Sequence, residues 1–238
     1  MRLVARLLKF FFHHLYHGLA FAYDAVAGGV SFGQWVEWTK ATLPFIKGTR
    51  ILELGHGPGH LQRLLLDRAE TLQSRETLDS ATFEILDSAI FGLDESSQMG
   101  RLARRRLVRA GHAHPNLARG LGQSLPFPDE TFDSIVATFP ADYIFEAQTA
   151  SEARRVLRNG GRLIVLPVAW PKNRFLTWLY RVTHEAPSEA LNVVKAKIGQ
   201  PFARAGFEVK VEVLEVKSSV LLIVLARKPT EEQWIQAT

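Results

Sequence analysis

A doubly wound α/β fold is what this sequence predicts, on three observations. Short runs of β-branched and leucine residues alternate with segments of helical periodicity, a glycine-rich loop joins the first such run to the first such helix, and a second apolar run also ends on an acid. The 238 residues suit one α/β domain with additions, and a hydrophobic fraction of 47% suffices for a sizeable core. The chain has no cysteine, which removes disulfides, thiolate metal sites and cysteine nucleophiles and fits a reducing compartment. A net charge of +5 and a pI near 9.6 suit an anionic partner, nucleic acid or membrane surface, without choosing between them.

In chain order, Arg2 to His17 carries a polar stripe at Arg2, Arg6, Lys9, His13 and His17 beside Leu3, Leu7, Leu8, Phe10, Phe11 and Leu15. That is a basic amphipathic helix. Arg6 and Lys9 interrupt the apolar run too early for a signal-peptide core, and the run is too short and charged to span a membrane, so no cleavage is expected. Two readings stay open: residues 1–17 pack on the domain or a partner, or they lie in a membrane interface. Ser31 with Gln34 three residues on fits a capping box, predicting a helix from Phe32 toward Leu43 that carries Trp35 and Trp38 into the core. Pro44 and Gly48 then break the chain. Residues 1–45 thus read as a helical segment ahead of a main domain over 46–238.

The run Arg50-Ile51-Leu52-Glu53-Leu54 predicts the first strand, Gly55-His56-Gly57-Pro58-Gly59 a tight loop, and His60 to about Arg68 a helix. Glycines at 55, 57 and 59 leave no Cβ in the way of a ligand lying against the main chain. A dinucleotide fingerprint needs G-x-G-x-x-G, and here the third glycine comes one residue early, while Gly59-His60-Leu61 lacks the lysine and hydroxyl of a Walker loop. Glu53, ending the strand, would repel a pyrophosphate but favour an ammonium and a sulfonium. S-adenosylmethionine has both.

Ile90-Phe91-Gly92-Leu93-Asp94 predicts a second strand ending in an acid that can accept two ribose hydroxyls, followed by a helix over Ser97–Arg109. Between them, residues 70–87 read as a polar insertion. The arginines at 101, 104, 105, 106 and 109 read as a solvated helix face with snorkelling stems. A third strand is expected near Leu117 to Leu121 and a fourth over Phe132–Thr138. A helix from about Thr149 to Leu157 should end at Asn159-Gly160-Gly161, ahead of a fifth strand over Arg162–Pro167. Residues 170–187 hold a second, aromatic insertion, centred on Trp170 to Val182. A helix over Ser188–Ala205 and strands over Phe207–Lys217 and Val220–Arg227, turning at Ser218-Ser219, close the chain.

Together, Glu53-x-Gly55-x-Gly57-x-Gly59, Asp94, Leu125-Pro126-Phe127-Pro128-Asp129 with Phe132-Asp133, and Glu152-Ala153-x-Arg155-Val156-Leu157 with Asn159-Gly160-Gly161 resemble the class I S-adenosylmethionine-dependent methyltransferases. The likeness covers about Tyr23 to Arg227 and is greatest for the branch of quinone-biosynthesis C-methyltransferases and small-molecule methyltransferases. It implies a Rossmann-like seven-stranded sheet with an antiparallel last strand. It also implies that Glu53 lies near the cofactor's amino end, that the backbone of Gly55, His56 and Gly57 runs along its methionyl part, and that Asp94 takes the ribose. Met99 would pack near the adenosine, and Gly59, Glu95 and Thr138 complete the expected contacts. Where the family usually has an acid near the adenine amino group this chain has Leu121, so Gly122 and Gln123, with the Gln123 or Ser124 side chain, are expected to take that role.

Thr138-Phe139-Pro140-Ala141 lacks the Asn/Asp-Pro-Pro-aromatic motif that amino-directed nucleic-acid methyltransferases share, and without cysteine the pyrimidine C5 route is closed. Only net charge favours a nucleic acid. The expected activity is therefore methyl transfer to a small-molecule acceptor, apolar or lipid-like, by a cytoplasmic enzyme with peripheral membrane contact through residues 1–17. Transfer from a sulfonium relies on positioning and desolvation, so a base is optional; Asp142, Tyr143, His184, His56 and His60 are the candidates. No metal site is expected. The alternatives are a non-catalytic S-adenosylmethionine-binding protein and, less in keeping with the loop, an NAD-dependent oxidoreductase.

Overall fold

The computed structural model describes residues 34–76, 89–171, 187–216 and 219–230. The amphipathic stretch at 1–17, the Ser31 cap, the rest of the polar insertion and His184 lie outside them. So does the aromatic insertion beyond Pro171.

Seven strands form one sheet in the order β3-β2-β1-β4-β5-β7-β6. They are β1 Ile51–Leu54, β2 Ile90–Asp94, β3 Asn116–Arg119, β4 Phe132–Thr138, β5 Leu157–Pro171, β6 Glu208–Val216 and β7 Ser219–Arg227. β1 pairs in parallel with β2 and β4, and β7 is antiparallel to both β5 and β6. The helices are α1 Trp35–Lys40, α2 His60–Glu76, α3 Ser97–Arg109, α4 Ala147–Val156 and α5 Pro187–Arg204, with 3-10 turns at Leu43–Phe45 and Asp142–Phe145.

Alternation along β1 divides the core. Leu52 and Leu54 face a cluster containing Ala150, Ala153 and Val156 of α4 and Phe202 of α5. Ile51 faces the opposite cluster, with Trp38 of α1, Leu61, Leu65 and Leu66 of α2 and Leu107 of α3. All four residues of β1 are buried, as a central parallel strand covered on both faces requires. Glu53 must follow Ile51 to the α2 side. On α3 the buried residues Met99, Ala103 and Leu107 form one stripe, and Arg101, Arg104, Arg105 and Arg109 are exposed opposite it.

Several boundaries differ from expectation; among them, β5 begins at Leu157 and runs on to Pro171, taking in Trp170, which the sequence places in the aromatic insertion. The helix expected to end near Arg68 continues to Glu76, with Thr71 exposed and its hydroxyl donating to the Asp67 carbonyl at 2.8 Å. Asn159-Gly160-Gly161 does not stop a helix. α4 already ends at Val156, Leu157 pairs with Phe132, and the next paired residue is Arg162 opposite Ser134, so the glycines lie in an irregularity within β5. α1 is shorter than expected, and Gln34 at its N-terminus makes no side-chain cap. Ser219 belongs to β7, paired with Val216, rather than to the turn.

Arg155 fixes the connection from β3 to β4. Its guanidinium donates to the carbonyls of Phe127 at 2.9 Å and Leu125 at 3.0 Å, to Asp129 Oδ1 at 2.7 Å, and to both oxygens of Glu152 at 2.7 and 2.8 Å. Glu152 Oε2 also accepts the Leu125 N–H at 2.8 Å. The Leu125–Asp129 and Glu152–Arg155 motifs are thus two halves of one clamp.

Candidate active site

In an open doubly wound sheet, ligands bind outside the carboxyl ends of the strands where strand order reverses. Here that crevice opens between β1 and β4, and the Gly55–Gly59 loop lies at it. The three glycines have different reasons to be there. A Cβ on Gly59 would stand 3.0 Å from the Ala103 Cβ and 3.1 Å from its Cα, so this glycine lets α3 approach α2. A Cβ on Gly55 would meet the Tyr143 hydroxyl at 2.7 Å. A Cβ on Gly57, whose φ is +51°, would meet nothing within 4 Å. The space over Gly57 is open.

The loop's own donors are engaged. Gly55 N–H donates to the Leu93 carbonyl at 2.8 Å, Gly57 N–H to Asp94 Oδ2 at 2.9 Å, and Gly59 N–H to the His56 carbonyl at 3.0 Å. His56 is buried, and its Nδ1–H donates to the Gly57 carbonyl at 2.7 Å. Burial holds its pKa below the ordinary histidine value despite the Asp94 charge, so the ring is neutral.

Beneath the loop are two buried acids, Glu53 and Asp94. Asp94 accepts from Gly57 N–H and, at 2.8 Å, from Ser96 N–H. Glu53 is only 1% exposed. Burial pushes its carboxyl well above the usual range, the Asp94 charge adds to this, and hydrogen bonds from Gln62 oppose it. Its Oε2 has no hydrogen-bond partner. Tyr143, from the 3-10 turn after β4, has a buried hydroxyl that is also without a partner. Burial, then the charges of Asp94, Glu95 and Glu53, push that phenol upward in pKa, so it keeps its proton and is no base.

Past Asp94 lies a cleft of about 370 Å³ lined by Glu95, Ser96, Ser97, Gln98, Arg119, Gly120 and Leu121. Leu121 is 51% exposed, an apolar side chain at the cleft's edge. Gln123 donates to Glu146 Oε2 at 2.8 Å rather than into the cleft. Met99 is fully buried in the α3 stripe and offers no accessible surface there. Thr138 is half-buried at the end of β4.

After Thr138 comes Phe139, at φ +49°, a conformation bulky residues rarely adopt. Its N–H donates to the Leu166 carbonyl at 2.7 Å, and its ring lies 4.2 Å from the Trp35 ring and 5.8 Å from the Trp38 ring. Trp38 is core, but Trp35 and Phe139 are half-buried at the carboxyl end of β4. Sequence reasoning found the loop, Glu53 and Asp94 and named Tyr143 only as a base candidate. It missed Gln62, in the first turn of α2, and Phe139, directly after Thr138, and it missed Trp35, which meets Phe139 from a distant part of the chain.

Residues 6–188 match the model of the ubiE/COQ5 methyltransferase family. The chain belongs to the ubiE/COQ5 methyltransferase family. Among its relatives, the demethylmenaquinone methyltransferase of Symbiobacterium thermophilum is 32% identical over 167 residues, 68% of this chain and 61% of that protein. The ubiquinone/menaquinone biosynthesis C-methyltransferase of Geobacter sulfurreducens is 28% identical over 171 residues, 70% of this chain and 61% of that one. This ubiE/COQ5 member therefore spans about three fifths of the relatives it matches. A SAM-dependent methyltransferase from Thermotoga maritima superposes with a TM-score of 0.53 at 19% identity, covering 87% of this chain and 94% of that one. The [4+2]-cyclase SpnF does so at 0.54 and 17%, covering 82% of each chain. These likenesses establish the fold, and a cyclase among them makes plain that the fold alone does not set the reaction.

Proposed function

We propose that the protein is an S-adenosylmethionine-dependent methyltransferase acting on an apolar, quinone-like ring. One observation carries the cofactor assignment: the buried Glu53 carboxyl, with an unpartnered oxygen, beside a glycine loop whose own donors are engaged and whose Gly57 faces open space. Such a site offers negative charge and acceptors. It suits a cationic ligand and repels a pyrophosphate, which counts against the NAD reading. Membership of a methyltransferase family and the names of the relatives support the same choice.

In this reading Glu53 holds the ammonium end, Asp94 accepts the ribose hydroxyls, and the cleft from Glu95 to Leu121 takes the adenine, with Leu121 as an apolar contact. The bound cofactor supplies an electrophilic methyl group on a sulfonium. The chain's residues position the acceptor and exclude water. Trp35 and Phe139 present aromatic surface at the mouth, suited to a flat ring. Neither Tyr143 nor His56 serves as base, since one keeps its proton and the other is buried with Nδ1–H engaged.

Asp94→Ala should weaken S-adenosylmethionine binding by about 1.5–3 kcal/mol, the scale of hydrogen bonds to a charged group. Calorimetry on the folded variant checks it, and unchanged affinity would remove Asp94 from the site.

The acceptor and the location form the rest of the proposal: a lipid-tailed ring reached at the cytoplasmic face of a membrane through the basic residues 1–17. Among the described residues no helix is long and apolar enough to cross a membrane. The test supplies labelled cofactor and a reduced demethylquinone in anionic liposomes. Label in the ring, with flotation that weakens in salt and is lost on deleting residues 1–17, is the expected result. Turnover of water-soluble acceptors only, without vesicle binding, would refute the interfacial reading, and no transfer to any quinone would refute the acceptor class.

A further inference from the structure

The Tyr143 hydroxyl is a buried group of the crevice that the contacts proposed above do not use. It stands where a Cβ on Gly55 would be, 2.7 Å from that position, buried and bonded to nothing. Its ring is seated rather than loose. Ring carbons lie 3.0 Å from the position of a Cβ on Gly122, and the Thr149 methyl lies 3.2 Å from the same point, so the absence of a side chain at 122 makes room for the ring.

The ligand read into this site has two charges at its amino-acid end. The ammonium suits Glu53. The carboxylate is in difficulty, because Glu53, Asp94 and Glu95 all act on this region with negative charge. It needs a donor. The N–H groups of Gly55, Gly57 and Gly59 are bonded within the protein, and so is His56 Nδ1–H. A buried phenol that keeps its proton beside Gly55 meets the requirement.

We propose that Tyr143 is the residue that recognises the carboxylate of the cofactor's amino-acid end, donating its hydroxyl hydrogen to it from above Gly55. This rests on the S-adenosylmethionine reading of the loop and adds to it a specificity: the site distinguishes the amino acid from the same sulfonium nucleoside without its carboxylate. Tyr143 is a binding residue here and takes no part in proton removal.

Decarboxylated S-adenosylmethionine, which keeps the sulfonium, ammonium and nucleoside, is the discriminating probe. Calorimetric affinities are measured for it and for S-adenosylmethionine on the wild-type chain and on Tyr143→Phe, which keeps the ring against Gly122. The expected result is about a tenfold loss for S-adenosylmethionine in the variant and no change for the decarboxylated compound. The melting temperature without ligand should be unchanged or higher, since an unpaired buried hydroxyl has gone. An equal loss for both ligands, or no loss for either, overturns the assignment. If the wild-type chain binds neither compound, the loop reading itself has failed, and that outcome is visible before any variant is made.

Discussion

Gly57→Val is expected to abolish S-adenosylmethionine binding while leaving a folded protein. A Cβ at this position meets no protein atom within 4 Å, so the added side chain projects into the space the ligand needs rather than into the core. Its cost to the fold comes from the backbone: φ is +51°, where a side-chain-bearing residue loses about 1–2 kcal/mol and a β-branched one more. The variant should melt a few degrees lower, keep its circular dichroism and show no calorimetric heat with cofactor. Gly59→Ala makes the contrast, because its Cβ would press on the Ala103 backbone at 3.1 Å and damage packing first. Normal affinity in a folded Gly57→Val protein would mean that the ligand does not lie against this loop.

Glu53→Gln should separate stability from binding. In the folded protein the Glu53 carboxyl holds its proton to higher pH than in the unfolded chain, because burial and Asp94 both oppose its charge. Between the unfolded pKa, about 4.3, and the raised folded value, the unfolded chain has released a proton that the folded one retains. The unfolded state then binds fewer protons, so stability falls as pH rises through that window. The wild-type protein without ligand should show this fall. The variant should lack it and be more stable at neutral pH by about 1–3 kcal/mol, the scale of an uncompensated buried polar group. Binding should move the other way. Losing the carboxylate that faces the ammonium should weaken S-adenosylmethionine about a hundredfold, about 2.8 kcal/mol. Denaturant titrations at several pH values and calorimetry read the two effects separately, and wild-type affinity in the variant would contradict the role given to Glu53.

Much of the fold was legible because its signals are local. β2, β4 and α3 have the bounds expected of them, and at the start of α3 the Ser96 Oγ accepts the Met99 N–H at 3.3 Å, a cap that the sequence reading did not name. The Asn159-Gly160-Gly161 stretch misled because pairing between Leu157 and Phe132 ended the helix before the glycines were reached. The extent of α2 was hidden because the polar residues after Ala69 carry no apolar periodicity. In the site, Glu53, Gly57 and Asp94 were legible because strand ends and a glycine loop mark them. Gln62, Trp35 and Phe139 were not, and neither was the position of the Tyr143 hydroxyl. Trp35 comes to Phe139 by packing across about a hundred residues of chain, at 4.2 Å, and the Tyr143 hydroxyl comes to Gly55 the same way, whereas Gln62 and Phe139 adjoin the loop and β4 but carry no pattern that announces their contacts.

On the proposed reading of the site, the Arg155 clamp lies next to the nucleoside end of the ligand. Three hydrogen bonds from the Arg155 guanidinium, and one from Leu125 N–H to Glu152, tie residues 125–129 to α4, and that segment leads directly from Gly122 and Gln123. The nucleoside side is therefore assembled in advance, and a ligand arriving there gives up little chain entropy to complete it. The amino-acid side is different in kind. Its wall is one tyrosine ring and a buried carboxyl that burial holds above the usual pKa range, each with a polar atom lacking a hydrogen-bond partner. On that reading, anchoring and discrimination fall at opposite ends of a single molecule.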